Sequence, residues 1–215
     1  GRNADKPMAT RLVTGACGCI GAWVVRELLN RGDEVVALDL SLQQHRLDAV
    51  LEPGQIDQVT FIEADVVEET SIATALQQSG ATGIIHLAGM QVPSCRADPI
   101  RGAMVNIIGT LNVLEAAREH GSTRVVYASS AAVHGPPNET APQATRENDL
   151  LDARTHYGVF KHANEGAARV MWHDHGVASV GLRPFTVYGV GRDFGLTSGP
   201  TTALKSALLG RPFTI

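Results

Sequence analysis

The sequence predicts an α/β domain built on a doubly wound parallel sheet. Short apolar runs alternate with longer stretches of helical spacing from Thr10 onward. A glycine-rich turn follows the first run, between Thr14 and Gly21. Acidic residues, Asp39 and Asp65, close the second and third. Strand–helix units repeating at roughly 25–40 residues imply right-handed crossovers, hence parallel strands with helices on both faces.

The elements follow in order. Arg11–Thr14 is a strand, and Ile20–Arg31 a helix stopped by Gly32. Glu34–Leu38 is a buried strand ending at Asp39, followed by a weaker helix over Leu42–Leu51, closed by Pro53-Gly54. Val59–Ile62 is the third strand and leads to Asp65, which alone reads as the N-cap of a helix over Glu68–Gln78. Gly83–Leu87 is the fourth strand. A long helix runs from about Ile100 to His120, with Val105, Ile108, Leu111 and Leu114 at helical spacing. Arg124–Ala128 is the fifth strand, and the polar, proline-bearing stretch Ser129–Asp152 reads as a long functional loop. Tyr157–His175 is a helix, Val177–Leu182 the sixth strand, and Pro200–Leu209 a further helix.

Composition narrows the function classes. The chain has 215 residues, 44% hydrophobic and 19% charged, enough apolar material for a core. A formal net charge of −4 without a Lys/Arg block argues against nucleic acid or a polybasic membrane surface as partner. No apolar run reaches the ~18 residues of a membrane span. The polar Gly1–Pro7 does not resemble a signal peptide, and Met8 reads as a start. Cys17, Cys19 and Cys95 form neither a disulfide framework nor a metal-ligand set, so no metal is expected and a reducing, cytoplasmic setting is.

Two clusters carry chemistry. Gly15, Gly18 and Gly21 are spaced G-x-x-G-x-x-G between the first strand and first helix. Glycine there lets the backbone approach a pyrophosphate, while the helix N-terminus offers free N–H groups and a positive dipole end. The same glycines would also serve strand–helix packing. Asp39 lies 18 residues after Gly21, where a carboxylate accepts from a ribose 2′-OH. Leu40, Ser41 and Leu42 follow it with no basic residue, which predicts NAD over NADP. Repulsion of even ~1.4 kcal/mol is tenfold in affinity. Tyr157 and Lys161, four apart on one helix face, form the second cluster. An ammonium beside a phenol lowers its pKa and makes it a usable acid/base. Ser129-Ser130, at the end of the fifth strand, places a hydroxyl where it would hold a substrate oxygen.

Together, Thr14–Gly21, Asp39, Asp65-Val66, His86–Gly89, Ser129–Gly135, Tyr157/Lys161 and Leu182–Gly189 resemble the extended short-chain dehydrogenase/reductase superfamily. Within it they are similar to the NAD-dependent epimerase/dehydratase family, and the resemblance runs from about Thr10 to Ile215. It implies a Rossmann-type NAD-binding domain over residues 8–190, with 191–215 opening a C-terminal substrate region whose remainder is largely absent. It implies that Gly15, Gly18, Cys19, Ile20 and Gly21 surround the pyrophosphate, Asp39 holds the ribose, and Asp65 and Val66 flank adenine. Leu87, Ala88 and Gly89 would line the cofactor channel with Asn106, and Pro184 would pass the nicotinamide. Lys161 would bind the nicotinamide ribose, Tyr157 would be the acid/base and Ser130 its partner, with His156 the next acid/base candidate. Gln91, Ser129, Thr186 and Arg192 are the candidate substrate contacts.

The family's dehydratases and decarboxylases usually carry an acid where Ala131 stands. Galactose-type epimerases usually have Tyr at His134, Lys near Gln91 and Asn at Thr186. Phe185–Gly189 is more similar to epimerases of nucleotide-linked uronic acids. The expected function is therefore an NAD-dependent epimerase of a nucleotide-linked sugar. The alternatives are a dehydrogenase or reductase with net hydride transfer on a sugar acid or other secondary alcohol, and a non-catalytic NAD-binding protein. Apolar residues in excess on the helices near Ile100–His120 and Tyr157–His175, including Val170, Met171 and Trp172, predict a homodimer.

Overall fold

The computed structural model describes residues 8–121, 123–136, 146, 149–195 and 197–214. The expected leader residues Gly1–Pro7, and residues 137–145, 147 and 148 of the expected long loop, lie outside the described residues.

Among the described residues there are six strands, β1 (Thr10–Thr14), β2 (Glu34–Asp39), β3 (Val59–Glu63), β4 (Gly83–His86), β5 (Arg124–Ala128) and β6 (Ser179–Leu182). They form one sheet of order β3-β2-β1-β4-β5-β6, with every pair parallel. Successive strand residues point to opposite faces, which divides the core in two. Leu12, Val36, Leu38, Ile84 and Val125 face one layer, packing with Ile72, Leu76, Leu114 and Met171. Val13, Val35 and Ala37 face the other, with Ala22, Val25, Leu28 and Leu47. The helices supplying these layers are α1 (Cys19–Asn30) and α2 (His45–Val50) on the second face, and α3 (Ser71–Ser79), α6 (Gly109–Glu119) and α7 (His156–His175) on the first. Strand order reverses between β1 and β4, and a crevice opens at the carboxyl ends of these strands, where such sheets bind ligands.

One local expectation is refined and two are corrected. The stretch predicted as one helix from Ile100 is a continuous helix made of α5 (Pro99–Ala103), a π-helical turn (Met104–Ile108) and α6. Another short helix, α4 (Val92–Ala97), precedes them. Pro93 and Pro99 stand in the first turns of α4 and α5, where a missing N–H costs nothing. Asp65 is not a helix cap: α3 starts only at Ser71, with Thr70 at its N-cap. The Asp65 carboxylate instead accepts from the Val67 N–H at 3.0 Å and pairs with Arg101 at 2.6 Å. Sixth-strand pairing begins at Ser179 rather than Val177, whose side chain belongs to the core. A last helix, α8 (Gly199–Leu208), closes the described chain.

Candidate active site: a nucleotide cleft ending in Ser130, Tyr157 and Lys161

The turn after β1 is built by glycine. Gly15 has φ +68°, and a Cβ there would stand 2.6 Å from the Ala88 nitrogen. A Cβ on Gly21 would stand 2.2 Å from the Gly15 carbonyl oxygen. Only hydrogen fits at either place, so the turn lies tight against β4 and α1 begins directly above it. Gly18 is the N-cap of α1, with no side chain capping it. Its first-turn N–H groups and dipole end therefore remain available to an anion.

Around this turn runs a cleft of about 550 Å³. Gly15, Gly18, Cys19, Ile20 and Gly21 line one end, Asp39, Asp65 and Val66 its flank, and Leu87, Ala88 and Gly89 its floor. Ser130, Tyr157, Lys161 and Pro184 line the other end, with Gln91, Ser129 and Arg192. Two expected contacts lie elsewhere. Thr186 is exposed and does not line the cleft. Asn106 is fully buried behind the floor: its amide donates to the Met90 and Gly102 carbonyls at 3.2 and 3.0 Å. Its Oδ1 has no hydrogen-bond partner and lies 2.7 Å from where a Gly89 Cβ would stand. Asn106 thus shapes the floor rather than forming its surface.

The catalytic end is positioned by caps. The Thr155 hydroxyl accepts from the Gly158 N–H at 3.0 Å and starts α7, which carries Tyr157 and Lys161. The Ser130 hydroxyl accepts from the Ala132 N–H at 3.1 Å and lies with Tyr157 at this end of the cleft. Lys161 is 4% exposed, and its ammonium donates to the Ala128 carbonyl at 2.7 Å. It also lies 5.6 Å from the Tyr157 ring centroid. Ser129 turns the other way and donates to Glu165, which grips Arg183 at 2.7 and 2.8 Å. Of this serine pair, Ser129 thus has its hydroxyl engaged away from Tyr157. His156, the reserve acid/base, is exposed and stacks on Phe160.

The electrostatics differ from expectation. Burial raises the Tyr157 hydroxyl above its ordinary range, opposed by the Ser130 hydrogen bond. Burial also brings Lys161 down to about 8, so much of its ammonium charge is lost as pH rises through that value. Desolvation of the phenol therefore outweighs the lowering expected of the lysine, whose charge sits against a carbonyl and over the ring face.

Residues missed by sequence reasoning also line the cleft, notably Arg46, Gln43, Met90 and Arg101. Arg46 and Arg101 lie on α2 and α5, outside every glycine or catalytic motif. They reach the cleft only because those helices pack beside the ribose and adenine end.

A doubly wound sheet, a glycine turn under an uncapped helix, an acid at the end of β2 and a Ser/Tyr/Lys set across one cleft are the features of a dinucleotide-binding domain. Residues 11–215 match the NAD dependent epimerase/dehydratase family. The chain belongs to that family, and through it to the extended short-chain dehydrogenase/reductases, whose cofactor here is NAD.

Among curated relatives, it is 35% identical to UDP-glucose 4-epimerase of Bacillus subtilis, over 70% of this chain and 44% of that protein. It is 31% identical to mouse (Mus musculus) 3 beta-hydroxysteroid dehydrogenase type 7, over 89% and 55%. Among solved structures it is similar to Thermus thermophilus UDP-glucose 4-epimerase in complex with NAD, with TM-score 0.78, 28% identity, and coverage of 96% of this chain and 65% of that one. It is likewise similar to the GalE-like L-threonine dehydrogenase from Cupriavidus necator, with TM-score 0.79, 26% identity and coverage of 96% and 64%. The chain spans about half the length of these curated relatives. No helix among the described residues is long and apolar enough to cross a membrane.

Proposed function

We propose that this chain is the NAD-binding and catalytic part of a nucleotide-sugar epimerase that transiently oxidises a secondary alcohol of its substrate. The observation carrying this reading is the gathering of Ser130, Tyr157 and buried Lys161 at one end of the cleft that holds the glycine turn. When bound, NAD supplies a hydride acceptor. The residues fit it: the cradle at Gly15 and Gly21 closes if a Cβ is added, the α1 N-terminus faces a pyrophosphate, and Asp39 stands at the ribose. Lys161 holds the nicotinamide ribose, and Pro184 lies along the nicotinamide end.

Tyr157 takes the proton of the substrate hydroxyl as the carbinol is oxidised and returns it on reduction. Ser130 holds the same oxygen. Ala131 leaves no carboxyl beside it for acid-assisted elimination, which favours epimerisation over dehydration. Gln91 and Arg192 are the substrate contacts in the cleft wall, and an anionic sugar such as a uronic acid suits Arg192. Residues 191–215 open the substrate-binding region. The setting is cytoplasmic, in keeping with the unpaired Cys17, Cys19 and Cys95.

We infer also that the chain dimerises through α7 and through α5 with the π-helical turn that follows it, where Ile100, Met104, Ile108, Val159, Val170 and Trp172 are exposed. Met171, counted toward that surface from the sequence, is buried in the core.

The second reading is net dehydrogenation, favoured by the likeness to L-threonine dehydrogenase. A panel of nucleotide sugars and hydroxy acids, with products resolved by chromatography and reduced nicotinamide followed by absorbance, separates the two. Product formation from a nucleotide sugar at flat absorbance is the expected result. Stoichiometric NADH accumulation would move the assignment to a dehydrogenase.

A further inference from the structure

Arg46 brings a guanidinium to the adenosine end of the cleft, next to the carboxylate that selects the cofactor. Asp39 and Arg46 grip one residue of the nucleotide turn from its two sides. The Asp39 Oδ2 accepts from the Cys17 N–H at 2.9 Å, and Arg46 Nη1 donates to the Cys17 carbonyl at 3.3 Å. Both side chains, with Ser41 and Gln43, line the cleft. A group attached to the ribose 2′ oxygen at Asp39 would thus stand within reach of Arg46, and a guanidinium is the side chain best matched to a phosphate.

The rest of that guanidinium is already engaged. Nη2 donates to Asp193 Oδ1 at 2.7 Å, and Nε donates to the same oxygen at 3.2 Å and to the Gly191 carbonyl at 3.1 Å. The other Asp193 oxygen is 3.6 Å from His45 Nε2. The Arg46 hydrogen bond holds the Asp193 carboxyl below its ordinary range, as expected of a carboxylate committed to this pair. Asp193 lies 147 residues along the chain from Arg46, so only tertiary structure joins them.

We propose that Asp193 is a specificity-determining residue: by occupying Arg46 it withholds the cation that would bind a 2′-phosphate, leaving that phosphate facing Asp39 alone. The inference rests on the cleft holding a nicotinamide dinucleotide. Selection of NAD then has two parts: repulsion by Asp39 and sequestration of Arg46 by Asp193. With Asp193 neutral, Arg46 keeps only the uncharged Cys17 and Gly191 carbonyls as partners, and a 2′-phosphate can draw it toward the ribose and offset the Asp39 charge.

Isothermal titration calorimetry with NAD⁺ and with NADP⁺ tests this on the wild-type protein, Asp193→Asn, and the double variant Asp193→Asn/Arg46→Ala. The Kd ratio of NADP⁺ to NAD⁺ should fall about tenfold in Asp193→Asn. It should return to the wild-type value in the double variant. An unchanged ratio in Asp193→Asn, or an equal fall in the double variant, overturns the role of Asp193. A folded wild-type protein that binds neither nucleotide overturns the dinucleotide reading itself, a different and separable result. Thermal melts establish that each variant is folded, and Asp193→Ser takes the place of Asp193→Asn should that variant fail to fold.

Discussion

Acid should destabilise this protein through His86 before its carboxylates titrate. His86 ends β4 and is 2% exposed. Its ring nitrogens meet Thr14 Oγ1 at 2.7 Å and Thr110 Oγ1 at 3.1 Å, tying the nucleotide turn to α6. Burial first, and the Lys161 charge second, push its pKa from 6.5 down to about 3. Between those values the unfolded chain carries a proton that the folded chain refuses. Stability is therefore complete above 6.5 and falls with pH at about 1.4 kcal/mol per unit. From 6.5 to 5 the loss is about 2 kcal/mol, a large share of a typical 5–15 kcal/mol. Asp65 and Asp193, also held low by their partners, lose stability only below their unfolded value of 3.8. Urea unfolding at pH 7 and pH 5, on the wild type and on His86→Gln, isolates the effect: glutamine hydrogen-bonds but does not titrate in this range. The wild type should lose about 2 kcal/mol and the variant far less. Equal losses in both proteins would refute the reasoning.

Other outcomes are expected. Tyr157→Phe keeps the ring and removes the proton carrier, so turnover should fall ~10²–10⁴-fold with NAD affinity nearly intact, as titration and initial rates will show. Near-normal turnover would take the acid/base role away from Tyr157. Gly21→Ala sets a Cβ 2.2 Å from a backbone oxygen and should abolish NAD binding or folding, read by calorimetry and circular dichroism. Lys161, lowered to about 8 by burial, carries a charge penalty that is complete below pH 8 and vanishes by 10.5. Its contribution should therefore raise stability by about 3 kcal/mol across that window, and Lys161→Met should flatten the rise in urea melts. A dimer mass at micromolar concentration, lost on Trp172→Glu, is expected in light scattering; a monomeric wild type would sink the dimer.

Much of this protein was legible in its sequence because the signals are local. Alternating apolar runs fix strand and helix identity through periods of 2 and 3.6. Gly15 and Gly21 declare a tight turn because no side chain fits there. Tyr157 and Lys161 share a face simply by being four apart on a helix. All six strands and the glycine–Ser130–Tyr157–Lys161 outline followed from such rules. The π-helical turn inside the helix predicted over Ile100–His120 did not, since the apolar spacing there does not distinguish α from π winding.

What only the tertiary structure decided are the charges. Desolvation depends on everything that surrounds a group, so no spacing rule could show that burial raises Tyr157 and lowers Lys161. The same holds for partners far apart in the chain. Asp65 reads as a helix cap until Arg101 arrives from α5, and Ser129 as a substrate contact until Glu165 takes its hydroxyl. Arg46 belongs to no motif in the sequence, and only the fold sets it between Cys17 and Asp193. The sequence determined where the nucleotide turn and the catalytic hydroxyls would lie, because the backbone rules behind them act over a few residues. The fold alone decided which ionic partners meet at that cleft, because Coulombic and desolvation energies depend on distance and burial in space and not on separation along the chain.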